Sequence, residues 1–219
     1  MTDSQVPRVK ICGHTRSQDI YTSAHAGADA IGIITDVPVD TPREVSIDQA
    51  TQLIECVPPM VTSVCVTMPE SVEQAQNIAD QTDPDILQIH TSLSPSDIAK
   101  LSDNVDSSIM VAVDAEDVGM IKSVAPVSDL VLVDSISDSG GGGTGRTHDW
   151  SQTREIIQDI LTPVILAGGL TPENVADAIQ TAQPYGVDVA SGVESRGGIK
   201  DKQNVTDFIS AAYQRRVPV

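Results

Sequence analysis

Leu130 to Trp150 reads LVLVDSISDSGGGGTGRTHDW. Leu130-Val131-Leu132-Val133 is short, apolar and rich in Val, which predicts a buried strand rather than a helix. Asp134 closes that strand, and the loop behind it carries Gly140 to Gly143, then Thr144, Gly145 and Arg146. Asp149 is a suitable N-cap for a helix opening at Trp150. A carboxylate at the C-terminal end of a buried strand is where α/β barrels place catalytic groups. The glycine run permits φ > 0 and close approach of backbone to a ligand. Taken alone, the same run also suits a flexible surface loop beside a solvated Asp.

The pattern repeats in both directions along the chain. Toward the N-terminus, strands are predicted at Val9 to Cys12, Asp29 to Thr35, Val61 to Thr67, Ile86 to His90 and Ser108 to Val113. They alternate with helices at Ser17 to Ala26, Asp48 to Glu55, Pro69 to Asp80 with Pro69 in the N1 position, Pro95 to about Leu101, and Asp117 to Val124. Toward the C-terminus, a helix from Asp149 to Ile160 precedes a strand at Val164 to Ala167. Thr171 then reads as an N-cap with Pro172 at N1 and Asn174 at N3. A strand at Val187 to Ala190 and a helix at Asn204 to Tyr213 complete the series. Eight strand–helix pairs without a break in composition predict one (β/α)₈ barrel domain spanning residues 1–219. A doubly wound sheet is disfavoured, because Cys12-Gly13-His14-Thr15 after the first strand holds one glycine where GxGxxG would be needed.

Composition narrows the function. The chain has 219 residues, 40% of them hydrophobic but only 2% aromatic, so the core must be built from Val, Ile, Leu and Ala. No apolar run approaches the ~20 residues of a membrane helix, and no apolar segment follows a basic start. A cytoplasmic protein without membrane contact is expected. The formal net charge of −18 argues against nucleic acid. Because the acidic residues are scattered and Lys is confined to Lys10, Lys100, Lys122, Lys200 and Lys202, the charge suits a salt-rich cytoplasm, and a halophilic source is expected. Cys12, Cys56 and Cys65 form no CxxC pair and have no His at zinc spacing, so neither a disulfide framework nor a metal site is suggested.

In a barrel the strand C-terminal ends share one rim. Here they bring together Cys12, the loop carrying Arg43, His90, Asp134, Gly168-Gly169, and Asp188 with Ser191-Gly192. The small residues after strands seven and eight suit phosphate, bound by backbone N–H groups, and no Lys lies near them in the sequence. The same glycines would also serve simple tight turns.

These residues carry a resemblance. Lys10-Ile11-Cys12-Gly13, Leu87-Gln88-Ile89-His90, Leu132-Val133-Asp134-Ser135, Gly142 to Trp150, Leu166-Ala167-Gly168-Gly169-Leu170 and Asp188 to Glu194 occur in the order and spacing of the phosphoribosylanthranilate isomerase family. The resemblance runs from about Lys10 to Phe208. It implies an Amadori rearrangement of a small sugar-phosphate substrate, with no cofactor and no metal, by a monomer or a homodimer. By the same resemblance, Asp134 is the general acid that opens the furanose ring. Cys12 is the base that removes the C2′ proton. Arg43, His90 and Asp188 bind substrate, and Gly145, Gly168, Gly169, Ser191 and Gly192 hold the phosphate. The segment Ile33 to Val37 lacks the aromatic residues the family often has there, and His14, Thr91 and Ala190 also depart from the pattern. A histidine-pathway isomerase of the same reaction type would be expected to carry a carboxylate at Cys12. A catalytically silent sugar-phosphate binder would have no reason to keep both Cys12 and Asp134.

Overall fold

The computed structural model describes residues 6–90, 93–135 and 149–214. Eight parallel strands form a closed barrel, and a helix follows each strand. The elements are β1 (Arg8–Ile11), α1 (Ser17–Ala26), β2 (Ala30–Thr35), α2 (Ile47–Glu55), β3 (Thr62–Thr67), α3 (Val72–Thr82), β4 (Ile86–His90), α4 (Pro95–Ser102), β5 (Ser108–Asp114), α5 (Val118–Val124), β6 (Leu130–Asp134), α6 (Trp150–Asp159), β7 (Val164–Leu166), α7 (Val175–Ala182), β8 (Gly186–Val189) and α8 (Lys202–Gln214). Each strand pairs with its sequence neighbour, and β1 pairs with both β2 and β8, so no barrel edge is left open.

Strand alternation divides the apolar residues into two populations. Val9, Ile11, Ile31, Ile33, Leu87, Ile89, Val131 and Val133 are buried in the large cluster shared with the helices. That cluster includes Phe208 of α8, the chain's single phenylalanine, with 0% exposure. Met110, Ala112, Leu132, Ile165 and Ala167 form a separate cluster within the barrel. Cys12, Val64 and Val66 form another. Small and aliphatic side chains thus fill a closed barrel, as the scarcity of aromatics requires.

Two helix starts differ from the sequence expectation. Pro69 is not at N1 of α3, because the hydroxyl of Ser71 accepts from Gln74 N at 3.2 Å and caps a helix that begins at Val72. Thr171 is likewise not the cap of α7, which begins at Val175 behind Asn174. The Asn174 side chain is engaged with the preceding loop instead. Its Oδ1 accepts from Thr171 N at 2.8 Å and its Nδ2 donates to Gly169 O at 2.9 Å. Other boundaries agree within two residues, the usual ambiguity of frayed ends. Two features had no sequence signature: a short strand Glu44–Val45 beside β2, and an antiparallel hairpin of Glu194–Arg196 with Ile199–Lys200. The glycine run at 140–143, with Thr144, Gly145 and Arg146, lies outside the described residues, so the reading of Gly145 at a phosphate has no structural counterpart. No helix among the described residues is long and apolar enough to cross a membrane.

Candidate active site

A cleft of about 250 Å³ opens at the C-terminal end of the strands. Cys12, Arg43, His90, Asp134 and Asp188 all line it, so the barrel brings together the five catalytic and substrate-binding residues read from sequence. Its remaining wall is largely aliphatic and includes Ile34, Val37, Val66 and Met68.

Cys12 follows β1 directly and is 5% exposed, and its amide donates to Val189 O at 2.8 Å. Burial pushes its thiol pKa up. The Lys10 ammonium group opposes that shift, Asp188 adds to it, and Lys200 opposes it. Lys10 is itself 3% exposed and donates to Asp188 Oδ1 at 3.0 Å. Burial disfavours the Lys10 charge, but Asp188 and Cys12 more than offset this and hold its pKa above the ordinary value.

Asp134 closes β6 at 8% exposure, and its Oδ1 has no hydrogen-bond partner among the described residues. Burial is the largest reason its pKa rises to about 6, and the like charge of Asp188 adds to the rise. A carboxyl in that condition arrives partly protonated at neutral pH, as a general acid requires. His90 contacts Gln88, with Nε2 3.3 Å from the amide nitrogen. Burial, followed by the Lys10 charge, lowers its pKa to about 4, so it is a neutral imidazole at neutral pH. His14, one of the departures from the family pattern, is also neutral, pushed down to about 3 by burial and then by Lys200. It is spent internally, with Nε2 2.9 Å from Ser23 Oγ and Nδ1 3.3 Å from Gly32 O.

Arg43 comes from the loop between β2 and α2, and its stem lies across Gly13. A Cβ at Gly13, whose φ is +77°, would sit 2.8 Å from Arg43 Cδ, so the glycine behind Cys12 makes room for the arginine. The guanidinium donates to Glu194 through Nε at 3.0 Å and Nη2 at 2.7 Å. Glu194 also accepts from Lys200 Nζ at 2.8 Å, and that ammonium group donates to the carbonyls of Cys12 and Ala190. Here the sequence expectation that no Lys lies near the eighth-strand motif is corrected, because the hairpin folds Lys200 back onto it. Its side chain has 0% exposure and its protons are spent on these three acceptors.

The two glycine motifs adjoin the cleft without being part of its lining. Gly168 and Gly169 take φ of +89° and +61°. A Cβ on Gly168 would stand 2.9 Å from Asp134 Oδ1, so this glycine is also needed for the carboxyl's position. A Cβ on Gly192 would overlap the Leu170 carbonyl, which shows how closely the loops after β7 and β8 pack. Ser191–Val193 forms a short 3₁₀ turn there. Sequence reasoning missed Lys10, Glu194 and Lys200. Lys10 did leave a signal, a cation two residues before Cys12 on the same face of β1.

A family model described as N-(5'phosphoribosyl)anthranilate (PRA) isomerase matches residues 9–211. The N-(5'-phosphoribosyl)anthranilate isomerase of Haloferax volcanii is 48% identical over 209 residues, covering 95% of this chain and 94% of that protein. The protein of the same name from Haloarcula marismortui is 49% identical over 207 residues, covering 94% and 96%. Both relatives come from halophilic archaea. Among solved structures, phosphoribosyl anthranilate isomerase from Thermotoga maritima superposes with a TM-score of 0.83 at 30% identity, covering 95% of this chain and 100% of that one. A phosphoribosyl anthranilate isomerase in complex with reduced 1-(o-carboxyphenylamino)-1-deoxyribulose 5-phosphate superposes with a TM-score of 0.80 at 29% identity, with the same coverage.

Proposed function

Because the chain belongs to the N-(5'-phosphoribosyl)anthranilate isomerase family, we propose that Asp134 and Cys12 are the acid and base of its reaction. The activity is the isomerisation of N-(5'-phosphoribosyl)anthranilate in tryptophan biosynthesis. Asp134 protonates the furanose ring oxygen, the C1′–O bond breaks, and the anthranilate nitrogen's lone pair completes a protonated Schiff base. The Cys12 thiolate then takes the C2′ proton, and the electrons of that bond flow toward the iminium nitrogen to give an enolamine. Return of a proton to C1′ and loss of the 2′-hydroxyl proton yield the aminoketose.

The observation that carries this reading is the placement of Cys12 and Asp134 on one cleft, with Asp134 Oδ1 buried and without a hydrogen-bond partner among the described residues. Asp188 receives the anthranilate N–H. Arg43 orients the substrate with its Nη1 edge, since Nε and Nη2 are the nitrogens engaged with Glu194. His90 supports the sugar as a neutral hydrogen-bonding group. The aliphatic wall of Ile34, Val37 and Met68 takes the aromatic ring in place of stacking partners. Backbone N–H groups at Gly168, Gly169, Ser191 and Gly192 bind the phosphate, and Gly145 of the β6–α6 loop joins them. The reaction needs no cofactor, and the protein acts in the cytoplasm as one barrel domain. Freshly prepared phosphoribosylanthranilate is fluorescent, and purified protein is expected to consume that fluorescence in molar salt. A rate equal to the buffer blank would overturn the assignment.

A further inference from the structure

We propose that Lys10 is a positioning residue for this isomerisation: its buried ammonium group bridges the Cys12 thiol and the Asp188 carboxylate, fixing both and favouring the thiolate. The inference rests on the reading of Cys12 as the base.

The geometry follows from strand register. Lys10 and Cys12 are two residues apart on one chain, so alternation turns both toward the barrel interior. Lys10 is paired with Asp188 across β1 and β8, and the two side chains, 4% and 11% exposed, meet at 3.0 Å. The Cys12 thiol and the same ammonium group both face Gly32 and interact electrostatically. Gly32 of β2 makes this possible, because a Cβ there would stand 2.8 Å from Cys12 Sγ and 3.1 Å from Lys10 Nζ. Lys10 does not line the cleft, whereas Cys12 and Asp188 do. It therefore acts through them rather than on substrate.

Energetics favour a purpose beyond packing. A buried ion pair is often no more stabilising than apolar side chains of the same volume, and the surrounding interior is aliphatic. An ammonium group held against a thiol favours its anion, and a base must be anionic before it can accept a proton. The charged groups acting on Cys12 are Lys10 of its own strand, Asp188 of β8 and Lys200 of the hairpin. Arg43, His90 of β4 and Asp134 of β6 share its cleft, and His14 follows it by two residues.

The test is a thiolate titration followed at 240 nm, taking each protein minus its Cys12→Ser counterpart so that Cys56, Cys65 and the tyrosines cancel. Lys10→Met should move the Cys12 midpoint up by at least about one pH unit, leaving roughly tenfold less thiolate at pH values well below both midpoints. The basic assignment in the kcat–pH profile should move with it, while Lys10→Arg stays near the wild-type curve. An unmoved midpoint in folded Lys10→Met would overturn the inference. If that variant does not fold, Lys10→Met with Asp188→Asn removes both buried charges. The midpoint must still rise, though by less, because the Lys10 charge acts on the thiol more strongly than the opposing Asp188 charge; a wild-type midpoint there overturns the proposal equally. The two readings fail separately: full turnover in Cys12→Ser removes the base assignment, whereas an unmoved titration removes only the role of Lys10.

Discussion

Arg43 and Glu194 are locked together beside the cleft, with Nη2 2.7 Å from Oε2 and Nε 3.0 Å from Oε1, although 151 positions separate them in the chain. Their side chains are 16% and 3% exposed. Glu194→Ala leaves the Arg43 and Lys200 charges without their shared carboxylate. Breaking a buried pair from one side costs roughly 3–5 kcal/mol, so urea midpoints at fixed molar salt should fall accordingly. The Michaelis constant should rise more than turnover falls, because Arg43 loses its orientation. A change below about 1 kcal/mol, the worth of an exposed pair, would show that the pair is idle.

Cys12→Ser retains the shape of the side chain but replaces the thiol with a much weaker acid, whose anion is scarce. Asp134→Asn retains shape and loses the transferable proton. Each should lower turnover by roughly 10²- to 10⁴-fold or more, with smaller effects on the Michaelis constant. The double variant should lose less than the product of the two single effects, as coupled groups do. Full turnover in either single variant would remove that residue from the mechanism.

Comparing the pH dependence of stability between wild type and Asp134→Asn isolates Asp134. Its carboxyl titrates at about 6 in the folded protein, against 3.8 in the unfolded chain. Between those values the folded state keeps a proton that the unfolded state has released. The contribution of Asp134 therefore falls as pH rises through the window, by roughly 3 kcal/mol at most, while His90 and His14, lowered to about 4 and about 3, contribute stability that rises with pH over an overlapping range. Asp134→Asn lacks the falling contribution, so its unfolding free energy should gain on wild type as pH rises from 3.8 to about 6, and the difference should level off above that. Turnover that needs the protonated acid should decline above about pH 6. Parallel stability curves for the two proteins would place the raised pKa elsewhere.

Gly169 has φ of +61°, a conformation that Asn and Asp tolerate better than other residues. Gly169→Asp and Gly169→Asn therefore carry similar strain and differ in charge. If the phosphate sits on this loop, the Asp variant should raise the Michaelis constant well above the Asn variant. Equal constants would remove the anion from the loop after β7.

A formal charge of −18 on 219 residues repels itself at low ionic strength. The melting temperature should climb from dilute buffer into molar salt, as expected for a relative of haloarchaeal proteins. A flat curve would show that the acidic surface is not under strain.

Local residue order was enough to locate all eight barrel strands, because each is a short apolar run bounded by Gly, Pro or a capping residue. It also placed Cys12, His90 and Asp134 on one rim, since a strand end in a closed parallel barrel faces one side only. Pro69 and Thr171 show its limit: a side-chain hydrogen bond to a neighbouring amide or loop moved the helix start by a few residues, a balance that no periodicity records. Tertiary structure alone set the state of the site. Lys10 against Asp188 depends on cross-strand register between residues 178 positions apart, and Lys200 reaches Cys12 through a hairpin without an alternating apolar pattern. The protonation of Asp134 and the neutrality of His90 follow from burial and from charges brought near by folding. Residue type supplies the groups, but desolvation and distance, which exist only once the barrel closes, decide which of them carries a proton.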